Sequence, residues 1–422
     1  MREMKDSGVK WIGEIPVTWN IYRNKNAFVC SKDLVGRKSS GTQLLSLTTK
    51  GIKLKDINNA EGKLPESFDT YQYVKKDEMV MCLFDLDCSA VFSGLSPYDG
   101  MISPAYKVLT CTDRMEPKYA DYWFQYISHG RKFNHYAKNI RYTLSYEEFS
   151  ALPMLFPGRE EQIRISNYLD AKCSKIDEII EKQQSIIEKL KEYKLSVIIE
   201  TVTKGLNLNV EMKDSGVEWI GQMPTSWDCT TVGMIATVVR GASPRPAGDP
   251  LYFNGNDVPW ITVAEVTKGD GKYIDGTETF LTFEGAKQSR IVEEGTLLLS
   301  NSGATLGVPK ITRIRGCIND GSVAFYNLSV NQEFLLYLFK GRTFELRKQM
   351  QGYGQPNLNT TIVKGIEVPL PTELEQKAIV DFLDQKCTAI EKTIEDREKA
   401  IEKLQKYKKS LIYEVVTGKK EV

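Results

Sequence analysis

The chain contains the same short motif twice, and this duplication constrains its fold more than any other feature. The first copy reads Lys-Asp-Ser-Gly-Val-Lys-Trp-Ile-Gly over residues 5–13 and closes at Trp19. The second copy, residues 213–221, differs in this stretch only by Glu218 in place of a lysine, and it closes at Trp227. Identity this dense indicates an internal duplication.

A second pair of matching stretches extends the repeat. Residues 157–203 and 371–417 align without a gap at close to half identity. The repeat therefore predicts that each half consists of an arm, a globular head and a long helix, in that order. The predicted boundaries are an N-terminal arm at 1–20, a first head at 21–157, a first helical region at 158–205, a linker with the repeated arm motif at 206–227, a second head at 228–371 and a second helical region at 372–422.

The two helical regions predict unusually long helices. Residues 160–203 contain no Pro or Gly and are rich in strong helix formers. Apolar residues follow a heptad seam, interrupted at matching places by Gln183 and Lys194 in one half and by Arg397 and Lys408 in the other. A helix of ~42 residues is ~60 Å long and needs a partner for its apolar stripe, and its own duplicate is the obvious candidate. The main seam positions are Leu169, Ile176, Ile180, Ile187, Leu190, Leu383, Ile390, Ile394, Ile401 and Leu404.

The heads mix strand and helix patterns, which predicts an α+β fold. In the first head we expect strands at 43–47, 78–83 and 105–109 and a helix at 118–127. In the second we expect strands at 260–263, 296–300 and 323–326 and a helix at 331–350. The arm shows no clear period, so we interpret it as an ordered segment whose Trp11, Ile12 and Trp19 pack on other elements.

Composition excludes several classes of protein. The net charge is +1, so a nucleic-acid-binding surface would have to be a local patch. No apolar run approaches the ~20 residues that span a bilayer. Eight cysteines without a CxxC pair and two histidines make a zinc site improbable. We expect a soluble, reduced, cytoplasmic protein.

No catalytic constellation is present in the sequence. It lacks the GxxxxGK[ST] phosphate loop, an S-adenosylmethionine-type glycine loop and the Asn/Asp-Pro-Pro-aromatic motif of adenine methyltransferases. The glycine-containing stretch 301–307 lacks the lysine and the spacing of a phosphate loop, so it is interpreted as a plain loop. The sequence therefore predicts a protein that is not an enzyme, without catalytic or metal-binding residues.

Each head has a basic and aromatic window that contains no acidic residue. These windows are 122–146 and 346–366. Arg and Lys suit phosphates and guanine edges, whereas Asn and Gln suit adenine. The alternative is that these side chains form a solvated helix face. Our candidate DNA-binding residues, which also include an arginine from a Pro-rich loop, are Arg131, Lys132, Lys138, Arg141, Tyr142, Arg245, Arg342, Arg347, Lys348, Tyr353, Gln355 and Asn357.

The pattern of divergence predicts a function. The arms and long helices have stayed alike in sequence, so we expect each copy to contact either the same kind of partner or the other copy. The heads have diverged in sequence, so we expect them to recognise different targets. Two dissimilar readers separated by a helical spacer would select a bipartite, asymmetric DNA site. Two alternatives remain: a two-headed coiled-coil scaffold for proteins without DNA specificity, and a fused enzyme, which the missing motifs disfavour.

The chain resembles the specificity (S) subunits of type I restriction–modification systems. The resemblance covers essentially the whole chain and rests on the repeated arm, on the stretches 99–106 and 258–262 in the heads, and on the openings of the helical regions at 161–170 and 375–384. It implies two target recognition domains separated by an antiparallel coiled coil, with pseudo-twofold symmetry.

The resemblance also implies partners and cofactors. The chain would bind double-stranded DNA and two methyltransferase (M) subunits, and restriction (R) subunits would join the complex. S-adenosylmethionine, ATP and Mg²⁺ would belong to those partners, and this chain would hold no cofactor. It would choose where adenine is methylated or DNA is cut, without being catalytic itself.

Overall fold

The computed structural model describes residues 2–31, 33–56, 65–86, 92–137, 142–207, 209–303, 305–349 and 357–422. The side chains at 344, 348 and 349 are outside this description. The chain divides into two compact units, Met1–Gln183 with Glu398–Val422, and Gln184–Arg397. Each unit holds one arm, one head, the beginning of one long helix and the end of the other.

Within the described residues, the first unit contains twelve strands, the whole of two helices and parts of the two long helices. The strands are β1 (Met4–Asp6), β2 (Glu14–Pro16), β3 (Asn20–Arg23), β4 (Phe28–Cys30), β5 (Leu45–Thr48), β6 (Gly51–Leu54), β7 (Gln72–Val74), β8 (Met79–Met81), β9 (Ser93–Leu95), β10 (Gly100–Ile102), β11 (Lys107–Cys111) and β12 (Pro153–Phe156). The helices are α1 (Pro117–His129), α2 (Tyr146–Ala151) and α3 (Arg159–Lys204), and 3-10 turns span Asn24–Asn26, Gly36–Gly41 and Lys132–His135.

The core of the first head is an antiparallel sheet covered by α1. The strand order is β4-β11-β8-β9. Helix α1 starts at Pro117, whose fixed φ suits a first helical position. Its fully buried Tyr119, Trp123 and Ile127 recur at helical spacing and join the main core. A smaller core lies beneath the β5–β6 hairpin and contains Leu45 and Ile52.

The arm forms a small antiparallel hairpin, which the sequence did not predict. β1 pairs with β2 from Met4 opposite Pro16 to Asp6 opposite Glu14. Strands of three residues are too short to show an alternating pattern. The second arm repeats the hairpin as β13 (Met212–Asp214) and β14 (Gln222–Pro224). The expected packing of Ile12 and Trp19 is confirmed, because both are at most 1% exposed.

The second unit adds eleven further strands and six helices within the described residues. The strands are β15 (Asp228–Thr231), β16 (Thr237–Arg240), β17 (Phe253–Ile261), β18 (Tyr273–Ile274), β19 (Phe280–Leu281), β20 (Arg290–Val292), β21 (Leu297–Ser300), β22 (Pro309–Thr312), β23 (Gly316–Ile318), β24 (Ser322–Tyr326) and β25 (Glu367–Leu370). The helices are α4 (Val232–Ile235), α5 (Val263–Thr267), α6 (Phe283–Lys287), α7 (Gln332–Gln349), α8 (Thr360–Lys364) and α9 (Glu373–Val416), the last of which continues into the first unit.

The two larger sheets of the second head are ordered β16-β24-β21-β22-β18 and β19-β17-β23-β20, and β15 pairs with β25 in a two-stranded sheet. The strand expected at 260–263 ends earlier, because a helix begins at Val263. Thr262 caps this helix by accepting a hydrogen bond from the Ala264 N–H, and Glu265 completes a capping box.

The long helices α3 and α9 contain 46 and 44 residues. In the first unit they run antiparallel, since Tyr168 lies near Lys420 and Asp177 pairs with Lys408. Helix α3 ends before Gly205, whose φ of +75° suits glycine. At the seam, residues 169, 176, 180, 187, 383 and 390 are buried, and residues 190, 394, 401 and 404 are half-buried. The predicted fold class, α+β heads with two long antiparallel helices, is confirmed.

Candidate functional site

Each head is fastened to the long helices by an aspartate of the repeat. In the first unit, Asp170 of α3 accepts hydrogen bonds from Tyr122 at 2.8 Å and from Lys118 at 2.6 Å. In the second, Asp384 of α9 accepts from Tyr337 and, at 2.7 Å, from Lys272. Burial and the neighbouring carboxylate raise the pKa of Tyr122, so its hydroxyl stays a donor.

A glutamine next to each helix start makes a second matching contact. The Gln162 amide donates to the Pro157 carbonyl at 2.9 Å, and its oxygen accepts from the Glu116 N–H. The Gln376 amide likewise donates to the Pro371 carbonyl at 2.8 Å, and its oxygen accepts from the Asn331 N–H. Because both side chains are at most 4% exposed, they fix the exit of each head.

Each arm is also hydrogen-bonded to the start of a long helix. The Trp19 indole donates to Glu161 at 2.9 Å, and the Trp227 indole donates to Glu375 at 3.1 Å. The motif residues repeated in the two halves thus hold arm, head and helix together. The head residues outside these shared contacts are the ones that differ between the two halves.

In the first head, the predicted basic window partly faces the arm. Lys132 lies 6.0 Å from the ring centre of Tyr126, and Tyr136 accepts a hydrogen bond from Trp11 at 2.9 Å. Arg131 is exposed and has a left-handed φ of 47°. Tyr142 is 38% exposed, but the candidates Lys138 and Arg141 lie outside the described residues.

Arg342 occupies the corresponding place in the second head. Its guanidinium lies 4.8 Å from the ring centre of Trp219 in the second arm, and the residue is only 9% exposed. Burial lowers the pKa of this arginine. Trp219 covers one face of this guanidinium, which limits the donors that Arg342 can present to a duplex, and its DNA contact stays a prediction.

Other candidates of the second head lie beside the loop at 301–307. The Arg347 Nε donates to the Leu306 carbonyl at 3.0 Å. The backbone of Asn357, an exposed residue, pairs with Ser302. Lys348 lies on α7 with its side chain outside the description, and Tyr353 and Gln355 lie outside the described residues.

Arg245 belongs to a neighbouring loop. Its side chain is 71% exposed and lies 3.6 Å from Asp320, which also accepts a hydrogen bond from Ser243. Gly321, the residue after Asp320, joins this loop to the loop at 301–307, since its carbonyl accepts a hydrogen bond from the Asn301 N–H at 2.9 Å. The structure therefore places Arg245 and Asn357 on adjoining loops of the second head, and Arg347 of α7 contacts one of these loops through Leu306.

These contacts define a class of protein in which two dissimilar α+β heads are attached in the same way to two long helices. Among the described residues, no group of three or more His, Cys, Asp or Glu is placed to hold a metal ion. Within the same ranges, no helix combines the length and the apolar character that a bilayer crossing requires.

Comparison with known proteins finds one domain family and several similar proteins. Residues 224–402 match the model of the type I restriction modification DNA specificity domain. The chain is 31% identical to the MjaIX specificity subunit of Methanocaldococcus jannaschii over 195 residues, covering 44% of this chain and 43% of that protein. It is 26% identical to the MjaVIII specificity subunit of the same organism over 283 residues, covering 64% of this chain and 63% of that protein. The chain is therefore similar to type I restriction–modification specificity subunits and carries a match to their DNA specificity domain, which confirms the resemblance seen in its sequence.

Solved structures share the fold. A chain from a study of complex assembly and conformational transition in the type I restriction–modification system has a TM-score of 0.74 at 14% identity, covering 96% of this chain and 99% of that chain. The HsdS subunit from Thermoanaerobacter tengcongensis has a TM-score of 0.51 at 16% identity, covering 96% and 98%.

Proposed function

We propose that the chain is the DNA-recognition subunit of a type I restriction–modification complex and reads a bipartite, asymmetric site. Each head would contact one half-site of double-stranded DNA. The long helices would set the number of unread base pairs between the half-sites, as dimer geometry does in other DNA-binding proteins.

One observation carries this proposal. The contacts that fasten the heads are the same in both units, through Asp170 and Asp384, Gln162 and Gln376, and the arm tryptophans. The heads themselves differ in strand order and in surface loops. A protein that binds one symmetric DNA site needs no such divergence between its heads. An asymmetric site requires two different recognition domains attached to the same scaffold.

The chemistry would belong to partners. In this proposal, two methyltransferase subunits bind the chain, restriction subunits complete the nuclease, and S-adenosylmethionine, ATP and Mg²⁺ bind those subunits. The target adenine would be flipped out by the methyltransferase while the heads hold the duplex. The chain itself would be non-catalytic, and it would work in the cytoplasm, where chromosomal DNA is accessible.

The test is to co-express the chain with its methyltransferase subunit and to map methylated adenines across the host DNA. We expect one split, asymmetric motif that disappears when the chain is omitted. An active, assembled complex that adds no methylation at a defined motif would contradict the proposal.

A further inference from the structure

A second basic window in the first head was not among our candidates. Residues 34–55 contain five Lys or Arg and no Asp or Glu. This run is more strongly basic than either window named above. It contains the loop 36–43 and the hairpin formed by β5 and β6.

The structure places this loop as a ridge between two open grooves. One groove, of about 550 Å³, is bounded by Ser40, Thr42 and Lys55. The other, of about 610 Å³, is bounded by Lys38, Ser40 and Tyr73. Because Ser40 and Thr42 line both grooves, the ridge offers polar side chains on either side.

The loop is anchored at its base. At its start, the N–H groups of Val35 and Gly36 donate to the carbonyls of Tyr71 and Asp69, at 2.9 and 3.2 Å. At its end, the Gln43 carbonyl accepts from the Met101 N–H at 2.8 Å.

Side chains reinforce these backbone contacts. Val35, Leu44 and Met101 form a small buried cluster beneath the loop. Gly100 can have no side chain, because a Cβ there would lie 2.6 Å from the Gln43 carbonyl. A ridge held this way is preorganised, which reduces the entropy lost on binding.

The cations of this window are exposed and lack acidic partners. Arg37, Lys38, Lys50 and Lys53 are exposed, and none of them forms an ion pair with a described residue. On the hairpin, Ile52 points into the core, so the neighbouring Lys53 points outward. In the second head, four exposed cations do have carboxylate partners within 4 Å: Lys268, Lys287, Arg313 and Arg315.

We propose that the loop 36–43 is a DNA-contacting element of the first head, with Arg37 and Lys38 as its contacts to phosphate or guanine. Unpaired cations at the rim of a groove lose no internal partner when they bind phosphate. Arg37 can bind a phosphate or the guanine O6 and N7 in bidentate fashion, and Ser40 and Thr42 add hydroxyl donors and acceptors. This inference rests on the proposed function and names a surface for it.

The experiment compares two double variants of the full chain, each assembled with its methyltransferase subunit. Arg37→Ala/Lys38→Ala removes the ridge cations. Arg23→Ala/Lys25→Ala removes an exposed Arg and Lys elsewhere in the same head, so the change in net charge is matched. Binding to a duplex carrying the mapped motif is measured by fluorescence anisotropy over a range of salt concentrations, and melting temperature reports folding.

We expect the ridge variant to lose about tenfold or more in affinity, with a salt slope shallower by roughly 1–2, while the matched variant stays within about twofold of the unmodified chain. Affinity and slope equal to those of the unmodified chain would overturn the inference. Equal losses in both variants would also overturn it, because net charge alone would then explain the result. Absence of any specific binding by the unmodified complex would instead count against the proposed function.

Discussion

Lys408 donates two hydrogen bonds to Asp177, at 2.7 and 2.6 Å, and the repeat makes the same contact a second time. In the second unit Lys194 pairs with Glu391 at 3.1 Å. In the alignment of the two halves, Asp177 corresponds to Glu391 and Lys194 corresponds to Lys408. The acid of each repeat therefore meets the lysine of the other, which is the reciprocal pattern of a twofold interface.

These two ion pairs should stabilise the helix pairing by similar, modest amounts. Both pairs are partly exposed, so double-mutant cycles to alanine should give coupling energies of about 0.5 kcal/mol each. Urea unfolding of the single and double variants measures this coupling. Coupling of zero in both cycles would show that the ion pairs do not contribute to the pairing.

Replacing a seam isoleucine with a charged residue should destabilise the chain far more than removing one of these ion pairs. Ile187 is 5% exposed, so Ile187→Asp buries a carboxylate without a partner and should lower the free energy of unfolding by about 3 kcal/mol or more. Lys189→Asp places the same residue at an exposed position two residues along, and it should change stability by less than about 1 kcal/mol. Equal melting temperatures for the two variants would contradict the burial of this seam position.

Lys340 makes the stability of the second unit depend on pH. Burial, with Lys194 and Lys310 nearby, lowers its pKa from 10.5 to about 8, while its amine donates to the Asp270 carbonyl at 2.9 Å. The unfolded chain therefore binds more protons between about pH 8 and 10.5, and the contribution of this residue to stability rises with pH across that window.

The Lys340→Met variant should remove this dependence. At pH 7 it should be more stable than the unmodified chain by roughly 2 kcal/mol, and the difference should shrink as the pH approaches 10. Lys392→Met, at an exposed position of α9, is the matched control and should show no such trend. Denaturant unfolding at several pH values gives the measurement, and a difference independent of pH would disprove the account of Lys340.

Arg347→Ala should weaken DNA binding by about tenfold while assembly with the methyltransferase subunit is preserved. Arg347 lies beside the loop at 301–307 and makes one hydrogen bond, to Leu306. Arg315→Ala, which removes an exposed arginine paired with Glu293, serves as the control and should bind normally. We predict the same loss for Arg141→Ala. Unchanged DNA affinity in both variants would show that the two acid-free windows are not part of the DNA interface.

The sequence predicted the large elements because their signals are long. The absence of Pro and Gly over 160–203 indicated α3, and the repeat then indicated α9. Short elements carry less information, as the three-residue strands of the arms illustrate. The helix at Val263 was signalled by Thr262 and Glu265, a capping-box spacing that the strand prediction overlooked.

Contacts between residues far apart in the chain could not be predicted from the sequence. Lys194 and Lys408 looked like interruptions of an apolar seam, and only the register of the two helices reveals their carboxylate partners. Arg342 looked like an exposed cation, because nothing local indicates that Trp219 covers it. The basic window at 34–55 could have been found by the acid-free criterion already applied to 122–146.

An exchange of heads tests the central claim most directly. The second head, residues 228–371, is replaced by the corresponding head of a related specificity subunit, and adenine methylation is mapped with the same methyltransferase subunit. We predict that one half of the split motif changes, while the other half and the spacer length stay as they were. A motif that is unchanged, or that changes in both halves, would contradict the division of recognition between two independent heads.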